Sequence, residues 1–274
     1  MRRLVPLLAA IAVGVVAVRP ARAEEPPALD VLAERLAPAI VTVKYVTKVG
    51  EAETQGEVSA ATLDASGLVV IGNGRLPGTP RSVKVLYGSD PTEHDAVLVA
   101  RDTAIGLAWV QPLDVVAEKP PASVDLAKPA ALRVGTPVFG LTRSARAFDF
   151  APMLGRAYVA AKVEKPRSMW AIAGDFSSVG LPVFDHTGAV AGVLSTQGAE
   201  DDEEMGSGER TCILPVDLVA KSLAQAKKRV PDAVAKAKTA KEETPAEPAM
   251  GDAAMGDAAM GEPGMKDEPA MGDK

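Results

Sequence analysis

Few side chains in this sequence can do chemistry. Its 274 residues contain two histidines, His94 and His186, and one cysteine, Cys212. One cysteine excludes a disulfide framework and a cysteine-ligated zinc site. Two histidines leave little for a histidine-rich metal centre, so no metal and no other cofactor is expected. A serine hydroxyl is a weak nucleophile at neutral pH unless a base sits beside it. The pair Ser177-Ser178 supplies hydroxyls, but His94 lies in Glu93-His94-Asp95 and His186 in the turn-like Asp185-His186-Thr187-Gly188. No local spacing joins either imidazole to that pair. Lys44, Lys162 or Lys165 would be needed for a serine–lysine dyad, and no spacing points to one. Cys212, beside Ile213 and Leu214, reads as a buried apolar thiol rather than a reactive one.

Other constellations have simpler readings. The run Asp201-Asp202-Glu203-Glu204 would suit Ca²⁺ or a basic peptide, but consecutive carboxylates lack the spacing of a calcium loop, and a solvated loop is expected. Gly72-Asn73-Gly74 has no following helix or lysine to make a phosphate loop. Trp109 and Trp170 read as core anchors. Met169-Trp170 leaves room for an apolar groove. The net charge of −6, from 30 basic and 36 acidic residues, is a poor basis for nucleic-acid binding. An apolar fraction of 47% is too high for a wholly disordered chain.

The elements that must position these residues fall into three segments. Residues 1–23 have the form of a signal peptide: basic Arg2-Arg3, an apolar stretch over 4–18 that is short for a bilayer span, and an Ala21-Arg22-Ala23 cleavage site. The expected location is therefore periplasmic or secreted, with an uncleaved membrane anchor as the alternative. Cleavage removes four arginines, so the mature chain would carry −10. Residues 230–274 form an Ala/Met/Gly/Asp-rich tail. Its methionines at 250, 255, 260 and 265 repeat with a period that fits neither helix nor strand, and disorder is expected. Methionine with aspartate in series would suit a soft metal, but without histidine or cysteine a solvated spacer is the simpler reading. A helix is expected from Pro215-Val216-Asp217 onward, through the Ala/Lys-rich stretch 221–241.

Between the termini, residues 24–229 read as one all-β unit after a short helix over 27–36, whose Leu29, Leu32, Ala33 and Leu36 share a face. Short β-branched runs recur, among them Ile40-Val41-Thr42-Val43, Leu68-Val69-Val70-Ile71, Val83-Lys84-Val85-Leu86-Tyr87, Leu107-Ala108-Trp109-Val110 and Ala189-Val190-Ala191-Gly192-Val193-Leu194. Turn residues such as Pro77-Gly78 and Gly88-Ser89-Asp90-Pro91 separate them. Many short strands with frequent turn signals argue for a sandwich or a barrel.

The order of these pieces resembles the trypsin-like serine proteases of the HtrA (Deg) kind, over residues 29–225. Leu36-Ala37-Pro38-Ala39-Ile40-Val41 is similar to that family's opening helix-to-strand step. Leu63-Asp64-Ala65-Ser66-Gly67-Leu68-Val69-Val70 is similar to its hairpin leading to the catalytic histidine. Leu132-Arg133-Val134-Gly135, Leu181-Pro182-Val183-Phe184 and Ile213-Leu214-Pro215-Val216 are similar to its later motifs, in the family's order. The resemblance implies an all-β, trypsin-like double β-barrel with short N- and C-terminal helices and a disordered C-terminal tail. No PDZ-like domain follows it.

The resemblance also places the catalytic triad. The family's histidine falls on Gly74, its aspartate on Gly106 and its nucleophile on Val179, with Ser178 as the fallback nucleophile one residue earlier. All three triad positions lack the side chain that acyl transfer requires. The implied function is an exported, catalytically inactive protease homologue that binds a peptide or protein partner in the vestigial cleft or acts as a scaffold. The alternative is an active endopeptidase with an unrecognised nucleophile and base. No nucleic acid and no membrane span after signal cleavage are expected.

Overall fold

The computed structural model describes residues 27–115, 120–174, 178–197 and 210–243. The signal-peptide segment, Ser177, the acidic run at 201–204 and the tail from 244 onward lie outside the described residues. Helix α1 (Leu29–Leu36) leads into six strands: β1 (Ile40–Val49), β2 (Ala52–Thr62), β3 (Val69–Gly72), β4 (Pro80–Tyr87), β5 (His94–Asp102) and β6 (Leu107–Pro112). A connecting segment leads to β7 (Pro137–Arg143), β8 (Pro152–Val163), β9 (Met169–Gly174), β10 (Pro182–Asp185), β11 (Val190–Gln197) and β12 (Arg210–Leu214). Helix α2 (Val216–Glu243) follows.

Each set of six strands closes into an antiparallel barrel, in the order β1-β2-β3-β6-β5-β4 and then β7-β8-β9-β12-β11-β10. The two circuits are the same, and the double-barrel all-β fold expected from the sequence is present. Closure removes the sheet edges that would otherwise remain unpaired. The connecting segment crosses both barrels: Val124 N donates to Thr62 O at 2.9 Å and Ala130 N to Val190 O at 2.8 Å. No described helix is long and apolar enough to cross a membrane.

The apolar runs explain where the core sits. In a strand, alternate side chains face opposite sides. Val69, Ile71, Ala108 and Val110 point into the first barrel with Val41, Val43 and Val85. The residues between them, Val70, Leu107 and Trp109, face outward into a second cluster with Leu32, Phe139, Phe184, Val193, Val219 and Ala226. Strands β3 and β6 are therefore covered on both faces, which is why their sequences are continuously apolar rather than alternating.

Helix α2 is 28 residues long and carries Pro231 inside it. It continues through Val230, where the composition shifts, to Glu243, because alanine, lysine and glutamate are strong helix formers. Its N-terminal half presents Val216, Val219, Ser222 and Ala226 to the core. Trp109 Nε1 donates to Ser222 Oγ at 3.0 Å, so a buried indole finds its partner on the helix.

Candidate functional site

The seam between the barrels is built by three turns. Strand β3 ends at Gly72 and runs into a 3₁₀ turn, Asn73–Arg75. Asn73 N donates to Gly106 O at 2.8 Å, which joins this turn to the one between β5 and β6. Arg101 fixes the same turn by donating from Nη1 to Asn73 Oδ1 at 2.7 Å. From the second barrel, the turn before β10 reaches in. A Cβ placed on Gly72 would lie 2.9 Å from Val179 Cγ1 and 2.9 Å from Val179 O. The structure thus brings the segments bearing Gly74, Gly106 and Val179 together where the resemblance places a triad.

Those three positions hold two glycines and a valine, none with a nucleophilic, basic or carboxylate side chain. Gly74 is exposed, and a Cβ there would meet nothing within 4 Å. Val179 is half-buried against Gly72. Ser178 is half-buried, and its carbonyl accepts from Leu181 N at 3.3 Å. Gly180 N donates to Leu194 O at 2.8 Å. The N–H groups of Gly180 and Leu181 are thus engaged within the protein.

Among the described residues, His94 and the candidate lysines Lys44 and Lys162 are engaged elsewhere. His94 begins β5, whose other end is Asp102 beside the seam, so eight residues of strand separate it from the site, roughly 26 Å. Its Nδ1 lies 2.8 Å from Asp114 Oδ2, and its ring stands edge-on to Tyr87 with centroids 5.2 Å apart. His186 sits in the turn that follows β10, beside α1, where Arg35 Nη2 donates to Thr187 O at 3.4 Å. Among the described residues no hydrogen bond joins either imidazole to a serine hydroxyl. Lys44 pairs with Glu93 at 2.8 Å and Lys162 with Glu164 at 2.7 Å. Both are held by carboxylates away from Ser178. Cys212 is buried, and burial pushes its thiol pKa up, away from thiolate chemistry.

One seam residue was not singled out from the sequence. Ser195, on β11, is only 5% exposed, and its Oγ donates to Ile105 O of the first barrel at 3.0 Å. A Cβ on Gly106 would lie 3.1 Å from that oxygen. The signal was a hydroxyl following the apolar run Val193-Leu194. Its hydroxyl is spent on a tie between barrels, and no imidazole lies behind it.

Four of the spaces among the described residues, of about 440 to 570 Å³, are lined by residues other than Gly74, Gly106, Ser178 and Val179. Trp170 lines an apolar one with Leu126, Leu132, Ala191 and Val216, while Met169 is buried in the core. The apolar space near Met169-Trp170 therefore opens toward the connecting segment and α2. The most strongly perturbed carboxylate is also remote from the seam. Hydrogen bonds from Lys44 and Lys84 hold Glu93 at a pKa of about 2. No protein-family model matches the chain, and no curated protein sequence matches it.

Proposed function

We propose that this chain is an exported, catalytically inactive homologue of the trypsin-like serine proteases, working by binding a peptide or protein partner or as a scaffold. One observation carries the reading. The turns bearing Gly74, Gly106 and Val179 converge at the barrel seam, where Val179 packs on Gly72 and neither histidine is near. Acyl transfer needs a hydroxyl, a base about 3 Å from it and donors for an oxyanion. The segment order along the chain supports the family, and the doubled barrel supports the fold on which that family's chemistry is built. Fold alone does not specify activity, so the reading rests on the seam. The signal-peptide form of residues 1–23 supports export.

The test is fluorophosphonate labelling of residues 24–274, run beside casein degradation, with an active serine protease of the same fold as control. Neither label nor cleavage is expected. Labelling that disappears in Ser178→Ala would overturn the proposal and show an activated nucleophile at Ser178.

A further inference from the structure

Two adjoining grooves, lined by the first barrel and by the end of β7 and the turn after it, carry a charge opposite to that of the chain. One, of about 500 Å³, is lined by Lys44, Lys84, Glu93, Glu57 and Arg146 with Tyr45 and Gln55. The other, of about 440 Å³, shares Glu57 and Arg146 and adds Arg143 with the hydroxyl residues Thr42, Ser59 and Ser144. Four cations face two carboxylates, a local balance of +2 in a chain of net −6. The cations are under-neutralised. Lys44 and Lys84 stand directly opposite one another on β1 and β4 and share the single Glu93, at 2.8 and 2.7 Å. Arg143 spends its donors on the carbonyls of Ala37, Ile40 and Phe150, with no carboxylate. Arg146 is exposed and has no carboxylate partner among the described residues.

The occupant is argued from where the chain goes next. Lys241 Nζ meets Asp95 Oδ2 at 2.6 Å, and Asp95 is the strand partner of Lys84. Helix α2 ends two residues later at Glu243. Helix α2 therefore ends within about 10 Å of Lys241, whose side chain reaches the strand paired with the groove's β4. Residues 244–274 carry seven carboxylates and two lysines, a net charge of −5. A random-coil chain of that length, 31 residues, would have a root-mean-square reach of about 30 Å. Tethering at that range gives an effective concentration of about a millimolar, so even a millimolar site is substantially filled.

We propose that the acidic segment 244–274 docks in the basic groove of Lys44, Lys84, Arg143 and Arg146, which does not include the turns of Gly74, Gly106 and Val179 and is independent of the protease reading. An acidic partner would then have to displace this segment.

The experiment uses the full mature chain, with a nitroxide placed at Ala258→Cys. Cys212 is buried and is left out of the labelling. The expected result at about 50 mM salt is selective broadening of the amides of Lys44, Lys84 and Arg146, recovering at about 0.5 M as charges are screened. Arg146→Glu should reduce that broadening at least threefold while leaving the amide spectrum of both barrels in place. Broadening spread equally over Arg156, Lys162 and Lys165, or unchanged in Arg146→Glu, would refute docking. Absent tail broadening with saturable shifts on adding a polyglutamate peptide would also refute it and assign the groove to an acidic partner in trans.

Discussion

At the residue scale, the glycines around the seam differ in how much room the backbone leaves for a side chain. Gly180 has φ +91°, and a Cβ there would lie 1.9 Å from Gly72 N. Gly180→Ala is expected to cost about 3 kcal/mol or more, through steric overlap and left-handed strain together. Gly106 has φ +70° with Ser195 Oγ facing it, so Gly106→Ala should cost about 1–2 kcal/mol. Gly74→Ala meets open space and should stay within about 0.5 kcal/mol. Urea unfolding of the three variants checks the order, and a Gly74 variant as damaging as Gly180 would contradict this geometry. Glu93 gives a pH-dependent case. Its folded pKa of about 2 lies below its ordinary 4.5, so its contribution is fully present above pH 4.5 and is lost as pH falls toward 2. The pair is about one-third exposed, so solvent limits the effect to about 1 kcal/mol. Glu93→Gln should remove that part of the acid sensitivity between pH 4.5 and 2. It should also leave Lys44 and Lys84 opposed without a bridge. An unchanged acid profile in Glu93→Gln would place the sensitivity elsewhere.

At the element scale, two hairpins are braced by aspartates in their turns. Asp64 Oδ1 accepts from Ser66 N, Ser66 Oγ and Leu68 N at 3.1, 2.6 and 3.2 Å, and its Oδ2 meets Lys227 of α2 at 2.8 Å. Asp185 repeats the device with Thr187 and Ala189. Helix α2 is then tied to the barrel by Lys227 and by the Trp109–Ser222 bond. Ser222→Ala should cost about 1–3 kcal/mol, because it leaves a buried indole N–H without a partner. A thermal melt checks this, and an unshifted midpoint would mean that another acceptor replaces Ser222. Much of this level was legible in the sequence. The strands covered on two faces, β3 and β6, stood out as continuous apolar runs, and α1 stood out by its leucine spacing. Strand β2 did not, because Ala-Glu-Thr-Gln-Gly-Glu is exposed over its first half and has no apolar alternation. Strands β9 and β12 are short and flank segments read as loops or as the start of α2. The triad positions could be placed only through the family resemblance. The Ser195–Ile105 tie joins residues 90 apart, and no local pattern encodes it.

At the scale of the whole molecule, the question is whether two closed barrels behave as one unit. One apolar cluster runs from α1 through the outer faces of β3 and β6 into the second barrel and along α2, whereas the first barrel's interior is a separate cluster. Polar ties cross the same boundary. Arg143, on β7, donates to the carbonyls of Ala37 and Ile40, and Ser59 Oγ of β2 accepts from Arg143 N at 2.9 Å. Burial lowers the guanidinium's pKa, but arginine stays charged at any pH where the fold exists, so this tie should not titrate. A continuous core should make unfolding of the described body a single cooperative event, with calorimetric and van't Hoff enthalpies equal. Arg143→Met keeps the apolar stem but strands three carbonyls, so it should cost about 2–4 kcal/mol and lower the midpoint by several degrees. The transition should remain single, because the shared cluster and the Trp109–Ser222 bond are untouched. Two resolved calorimetric transitions, in the wild-type chain or in Arg143→Met, would mean that the barrels fold independently and that the shared cluster does not couple them.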